Sequence, residues 1–378
     1  MRKRFHKNTL KRLTNRLSIF SEKSILIIST ESWGAHFVSK HHYAVQLAKM
    51  GNKVYFLNPP NGDNKVEKKD GLPENLNIVS FSGTPGLRLM PTKIATTLQQ
   101  RDARKLAELC ETKFDLIWSF DNSRFYDLSV FRKCLKIAHI MDLAVDFHTQ
   151  VHASSADYCF GVTREIVSRM GQYNPKSFFI NHGFYPIELD AIQHNPSERK
   201  QVGYSGNLLL KFIDRKLVLS LVQAHPKVHF NFYGGHAKSN LSDGSDQEGV
   251  RFIENLKQEK NVHLHGALPR TDLMQALNNQ DVLLLFYDAK KYAGACHNSH
   301  KILEYLSTGQ EILSLPVLEY SHSKLINHAA NHDEYLRGFE ELLTKKTDAN
   351  LHRDRIAYAA DHTYIRQIER IQNIIDGE

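Results

Sequence analysis

The densest run of chemically capable side chains is His297-Asn298-Ser299-His300-Lys301-Ile302-Leu303-Glu304-Tyr305-Leu306-Ser307-Thr308-Gly309. Ser299 to Ser307 reads as a helix with Asn298 or Ser299 at its N-cap. The buried-strand run Asp281 to Phe286 precedes it across a loop. A helix beginning there presents unsatisfied backbone N–H groups and a positive dipole end, a site suited to a diphosphate. Lys301 adds positive charge at the same end. Glu304 falls in the second turn, where a carboxylate can accept hydrogen bonds from both hydroxyls of a ribose. The competing reading is an ordinary amphipathic helix with Ile302, Leu303 and Leu306 inward and Glu304 in water.

Other reactive residues are more scattered. Asp142 and Asp146 form a D-x-x-x-D pair after the strand Ile137 to Ile140, placed either to contact the hydroxyls of a ligand or to cap a turn. His36 and His148 lie in loops of the first half, where either could touch a ligand; a chain with 21 histidines also carries loop histidines without a role. Trp33 is a candidate for stacking on a ligand ring or for anchoring a core. His41-His42 has no partner at zinc-like spacing, and Cys110, Cys134, Cys159 and Cys296 form no C-x-x-C pair, so no metal is assigned and reduced thiols are expected.

The elements that must position these residues alternate. Ser24 to Ser29, Lys53 to Leu57, Asn77 to Phe81, Asp115 to Phe120, Ile137 to Ile140 and Asp157 to Val162 are short apolar runs typical of parallel strands buried on both faces. Helical patterns at Lys40 to Met50, at Arg101 to Thr112 and from Thr163 separate them. The polar stretch 186–200 reads as a linker. Alternation then restarts with strands at Gln201 to Ser205, Val228 to Tyr233, Asn261 to Gly266, Asp281 to Phe286 and Glu311 to Leu315, and with helices at Arg215 to Ala224 and Arg270 to Leu277. Residues 356–375 read as one closing amphipathic helix, and Ala237 to Gly249 as a mobile loop. The fold class is therefore α/β, with two consecutive Rossmann-like, doubly wound domains. The divisions are a leader over 1–23, a first domain over 24–190, a second over 200–355 and a closing helix over 356–378. A ligand is expected beyond the carboxyl ends of the strands, in a cleft between the domains.

A chain of 378 residues is long enough for two domains, and 41% apolar residues can fill two cores. The net charge of +8 favours anionic partners, but no recognised nucleic-acid-binding module is present, so nucleic acid is not expected as a partner. No apolar run reaches the ~18–20 residues of a membrane span, and residues 1–23 lack a signal-peptide core; a cytoplasmic protein is expected. The leader carries Arg2, Lys3, Arg4, Lys7, Lys11, Arg12 and Arg16 beside a Leu10, Leu13, Leu17 and Phe20 stripe. As a helix it could lie on the anionic inner face of a plasma membrane or pack on the protein body.

The Lys301-x-x-Glu304-Tyr305-Leu306-x-x-Gly309 segment resembles the signature of the family 4 glycosyltransferases of GT-B fold. Val202-Gly203-Tyr204-Ser205-Gly206-Asn207 is similar to the opening strand and turn of that family's donor domain. Asn181-His182-Gly183 is similar to its turn before the linker, and the closing helix, with Tyr364, to the one that crosses back onto the first domain. The resemblance implies a hexosyltransferase-type enzyme using a UDP- or GDP-sugar, with retention of anomeric configuration and no metal or other cofactor. By the same resemblance Glu304 would hold the ribose and the Ser299 and His300 amides would meet the phosphates. Lys211 or Arg215 would clamp the diphosphate, Gly34 would let the first domain approach the donor, and Gly266 would lie beside the base. His148 joins Lys211 and Arg215 as a candidate for the chemistry. The family often has a glutamate eight positions before the ribose-binding one, where this chain has Cys296; the teichuronic-acid-like members resemble it in this, and a teichuronic-acid or capsular polysaccharide type is implied. A saccharide or lipid-linked acceptor of a surface polysaccharide is the implied partner. The alternative is an inactive nucleotide-binding or membrane-associated scaffold of the same fold.

Overall fold

The computed structural model describes residues 20–34, 37–142, 148–189, 200–236, 247–288, 291–292, 298–346 and 348–377. Most of the leader, His36, Asp146, most of the 237–249 loop, Cys296 and His297 lie outside these. The chain forms two compact units. One holds the described residues up to Asn181 together with the segment from Tyr364, and the other holds His182–Thr363.

The first unit is built on one eight-stranded sheet. Its strands are β1 (Ser24–Ile28), β2 (Lys53–Leu57), β3 (Lys65–Glu67), β4 (Leu76–Ser80), β5 (Leu116–Ser119), β6 (Leu135–Ile140), β7 (Tyr158–Gly161) and β8 (Ser177–Phe179). They lie in the order β3-β4-β2-β1-β5-β6-β7-β8. All pairings are parallel except β3 on β4, where the short, exposed Lys65–Glu67 strand closes the edge. Ile25 to Ile28 are fully buried, as a strand covered by helices on both faces requires. The helices are α1 (Ser39–Lys49), α2 (Thr92–Leu109), α3 (Thr149–Ser155) and α4 (Arg164–Gly171). α2 starts nine residues before the expected Arg101, because Pro91 supplies a fixed-φ N-cap that launches the helix at Thr92. The strand order reverses between β1 and β5, so the switch point lies at their carboxyl ends.

The second unit repeats the plan with a six-stranded parallel sheet of order β11-β10-β9-β12-β13-β14. The strands are β9 (Gln201–Ser205), β10 (His229–Tyr233), β11 (Val262–Gly266), β12 (Val282–Leu285), β13 (Glu311–Ser314) and β14 (Asn327–His328). The helices are α5 (Arg215–Ala224), α6 (Gln247–Gln258), α7 (Arg270–Asn278), α8 (Lys301–Thr308), α9 (His332–Thr344) and α10 (Ala349–Asp361). Its switch point lies between β9 and β12.

The expected single closing helix is two. α10 ends at Asp361, and α11 (Tyr364–Asp376) joins the first unit. The Phe184 amide takes the His362 carbonyl at 2.8 Å, which diverts it from a helical bond and breaks the run at His362–Thr363. Tyr364 therefore opens α11 rather than sitting mid-helix. Its hydroxyl donates to Ser39 Oγ at 3.2 Å, its ring stacks on His42, and Ile368 and Ile371 are fully buried. Among the described residues no helix is long and apolar enough to cross a membrane.

Candidate functional site

In the second unit three glycines follow neighbouring strand ends. Gly206 after β9 and Gly234 after β10 have φ of +144° and +142°, and Gly266 closes β11. The Gly206 amide donates to Tyr233 O and the Gly234 amide to Gly266 O, both at 2.7 Å. A Cβ on Gly234 would stand 2.2 Å from Gly206 O, and one on Gly206 would stand 2.7 Å from Lys301 Cε. Only glycine lets these turns touch backbone to backbone. The bare backbone that results lies against Lys301, whose ammonium is 5.7 Å from the Tyr287 ring centroid, within cation–π range. Tyr305 holds α8 against this turn, its hydroxyl accepting the Ser205 amide at 2.8 Å.

The α8 N-terminus differs from expectation. The helix starts at Lys301 with His300 as N-cap, and neither Asn298 nor Ser299 caps it through a side chain. The Ile302 and Leu303 amides turn back tightly onto Ser299 O and His300 O at 3.1 and 3.2 Å, so the entry is wound as a 3₁₀ turn. Glu304 consequently lies in the first turn, nearer the positive end of the dipole than expected. It is not solvated: it is 9% exposed, and Ile302, Leu303, Tyr305 and Leu306 are fully buried with it. Its Oε1 receives Arg270 Nη1 at 2.7 Å, and Arg270 Nη2 donates to Tyr185 O at 3.3 Å. His300 keeps exposed surface, yet the protein around its ring pushes its pKa down, with Lys301 and Arg270 adding to the effect. The imidazole is neutral at pH 7.

Lys211 and Arg215 share the wall of a cavity of about 990 Å³ that also includes Tyr287, Asp288 and Lys291. Arg215 lies 3.6 Å from Glu248 and donates to Leu209 O at 3.4 Å. Asp214 caps α5 by accepting the Leu217 amide and holds His332 Nε2 at 2.5 Å on the same wall. Tyr287 thus touches both groups: it lines this cavity and carries the Lys301 ammonium. Gly206, Gly266, Ser299, His300, Lys301 and Glu304 belong to the strand-end group, and Lys211 and Arg215 to the cavity.

His148 and Gly34 belong to the first unit. The His148 ring stacks on Tyr126 with centroids 3.8 Å apart, and burial lowers its pKa, so it too is neutral. Gly34 follows β1, where a Cβ would find only Ser32 O at 3.9 Å. Trp33 is 8% exposed and packs edge-on against Phe56 and His41, which makes it a core anchor. Asp142 is exposed. A cavity of about 450 Å³ at the ends of β1, β2, β4 and β5 is lined by Asp102, Asp121, Ser123, Arg124 and Phe125. Burial pushes the Arg124 guanidinium down to about 10; it donates to Asn58 O and Phe81 O.

Sequence reasoning passed over Arg270, Tyr287 and Arg124. Arg270 had one available signal, its place directly after the Gly266–Pro269 turn; Tyr287 and Arg124 had none, because only packing makes them part of a wall. Among the described residues no group of three His, Cys, Asp or Glu side chains is placed to hold a metal ion. Cys110, Cys134 and Cys159 are free thiols.

No protein-family model matches the sequence, and no curated protein is significantly similar to it. Solved structures do match over nearly the whole chain. Sucrose-phosphate synthase from Thermosynechococcus elongatus is 12% identical, with a TM-score of 0.66 over 94% of this chain and 98% of that one. The apo lipopolysaccharide outer core galactosyltransferase WaaB is 14% identical, with a TM-score of 0.63 over 94% and 99%. HepE of Anabaena in complex with UDP and glucose is 12% identical, with a TM-score of 0.59 over 94% and 100%. Two parallel-sheet units in one chain, with the last helix returned to the first, give this protein the GT-B fold of those glycosyltransferases.

Proposed function

We propose that the protein is a glycosyltransferase that takes a hexose from a UDP- or GDP-sugar and passes it to a saccharide or lipid-linked acceptor of a surface polysaccharide. The observation that carries this reading is the side-chain-free Gly206–Gly234 turn facing Lys301 and the first turn of α8. Bare backbone, an ammonium and a helix N-terminus together suit a diphosphate. Glu304 in that first turn would accept the ribose hydroxyls, exchanging its bond to Arg270 for them. Ser299 and His300 would offer amides to the phosphates. Lys211 and Arg215 would stabilise charge as the nucleoside diphosphate leaves. His148, neutral at pH 7, could exchange a proton with an acceptor hydroxyl.

Two structural neighbours support the donor class: HepE is in complex with UDP and glucose, and a neighbour from E. coli is bound with UDP-2-fluoro glucose. WaaB acts on a lipopolysaccharide core, which supports a cell-surface acceptor. Retention of configuration and independence of metal or other cofactor complete the proposal, with a cytoplasmic protein of teichuronic-acid or capsular type, held at the inner membrane face through residues 1–23. A scaffold that binds nucleotide without turnover is the second reading, favoured by the occupation of Glu304 Oε1 by Arg270.

Thermal unfolding with UDP, GDP, ADP and CMP tests the donor site. One diphosphate at a hundred times its Kd should stabilise the protein by about 2.7 kcal/mol. Glu304→Ala should abolish that selectivity. A shift with no release of nucleoside diphosphate from any donor favours the scaffold; no shift with any nucleotide rejects both readings.

A further inference from the structure

Beyond the ends of the strands, the first unit carries an apolar tip that no described residue covers. Leu89 is 85% exposed, Ile94 54% and Met90 36%, and all three cluster where a short 3₁₀ turn (Leu87–Leu89) runs through Pro91 into α2. A folded protein seldom leaves three large apolar side chains together in water without a use for them. The outward face of α2 continues from this tip. Lys93, Ile94, Thr97, Arg101, Arg104, Lys105 and Glu108 are exposed, while Ala95, Gln99, Asp102, Ala103 and Leu106 are buried. At roughly 100° per residue the exposed set falls within about 120° of arc. That stripe holds four cations and one carboxylate. Among the described residues Lys93, Arg104 and Lys105 make no ion pair, whereas Arg101 lies 3.7 Å from Asp102 and donates to Thr84 Oγ1 at 2.7 Å.

We propose that the 87–94 tip and the outer face of α2 form a docking surface for an anionic lipid bilayer, separate from the leader. The pattern selects this occupant. Apolar side chains at the end of a basic helical face can enter the acyl boundary while the cations meet lipid phosphates. A protein partner's apolar patch would leave Lys93, Arg104 and Lys105 without counter-charge. Pro85, Gly86 and Leu87, which lead into the tip, also line the 450 Å³ cavity of Asp102, Asp121 and Arg124. A membrane that holds the tip therefore brings lipid head groups beside that cavity. The cavity's use for a lipid-linked acceptor rests on the glycosyltransferase reading; the docking surface does not.

The test is flotation of the full chain with vesicles of phosphatidylcholine alone or with about one third phosphatidylglycerol. The wild type should float only with the anionic vesicles. Leu89→Glu with Ile94→Glu should weaken that binding at least about tenfold. Arg104→Glu with Lys105→Glu should weaken it roughly thirtyfold. All four side chains are exposed, so melting temperatures should stay within about 2 °C of wild type. Both double variants floating like the wild type, or a wild type that floats with neither vesicle, overturns the proposal. Nucleotide-induced stabilisation, measured on the same variants, should be unchanged. Its absence from the wild type as well would reject the donor site while leaving the flotation result to decide the surface.

Discussion

Both units bury polar side chains, and they do it by opposite means. The core of the second unit holds a complete ion pair: Arg355 and Glu311 are 1% and 2% exposed, with Nη2 2.6 Å from Oε2. Arg355 also donates to Leu325 O and Gly309 O, and Asn327 donates to the same carboxylate. These bonds fasten α10 to β13. The first unit also buries Lys40 beside the half-exposed Glu31, but its innermost basic groups are imidazoles. His41, His139 and His152 are almost without exposure. Trp118 Nε1 donates to His139 Nδ1 at 3.3 Å, His152 Nδ1–H donates to Tyr126 O at 3.2 Å, and desolvation pushes His152 down to about 4. A compensated pair brings its counter-charge into the core with it, whereas a lone buried imidazole is tolerated only while neutral. The core of the second unit should therefore be sensitive to loss of one partner and the core of the first to acid, while His265, His300 and His328, whose pKa values are also lowered by burial, lend the second unit an acid response outside that core.

The sharpest way to break this contrast is Arg355→Met. Stranding the Glu311 carboxylate should cost the second unit about 3–5 kcal/mol, read as loss of hydrogen-exchange protection in β9–β13 with β1–β7 unaffected. A cost near zero would mean that the pair is no more than a substitute for apolar packing.

Acid should act on the other unit. The unfolded chain takes up a proton on His152 near its ordinary 6.5, while the folded one resists until about 4. Stability is thus complete above pH 6.5 and is lost as the pH falls through that window, by about 3 kcal/mol from this residue alone. Exchange protection measured from pH 7 to 4.5 should fall first in β5–β7. Parallel loss in both units would remove the distinction.

The smallest effect sharpens the comparison at the turns after β1 and β9. Gly206→Ala forces a side chain to φ +144° and into Lys301, and should cost about 2 kcal/mol in urea unfolding. Gly34→Ala meets ordinary contact distances and should change stability by less than about 0.5 kcal/mol. Equal costs would mean that the β9 turn is no tighter than its counterpart.

Much of the architecture was legible because burial on both faces of a parallel sheet demands unbroken apolar strands, and Ile25–Ile28 and Val282–Leu285 meet that demand locally. The α8 motif was legible for a similar reason: Lys301, Glu304 and Gly309 lie within one short segment. The start of α2 was obscured, since Thr92 to Gln100 holds three threonines and two glutamines that blur the apolar period. β3 and β14, at three and two residues, are too short for any period.

By itself, then, the sequence determined the two α/β halves, the glycine turns, the Lys301–Glu304 helix and the basic excess, because each is a property of neighbouring residues. Only the tertiary structure decided that Glu304 meets Arg270, that Gly234 touches Gly206, that the closing helix breaks at His362–Thr363 and that Leu89 is left in water. Each of these depends on which distant surfaces close over a residue, and local pattern carries no record of that.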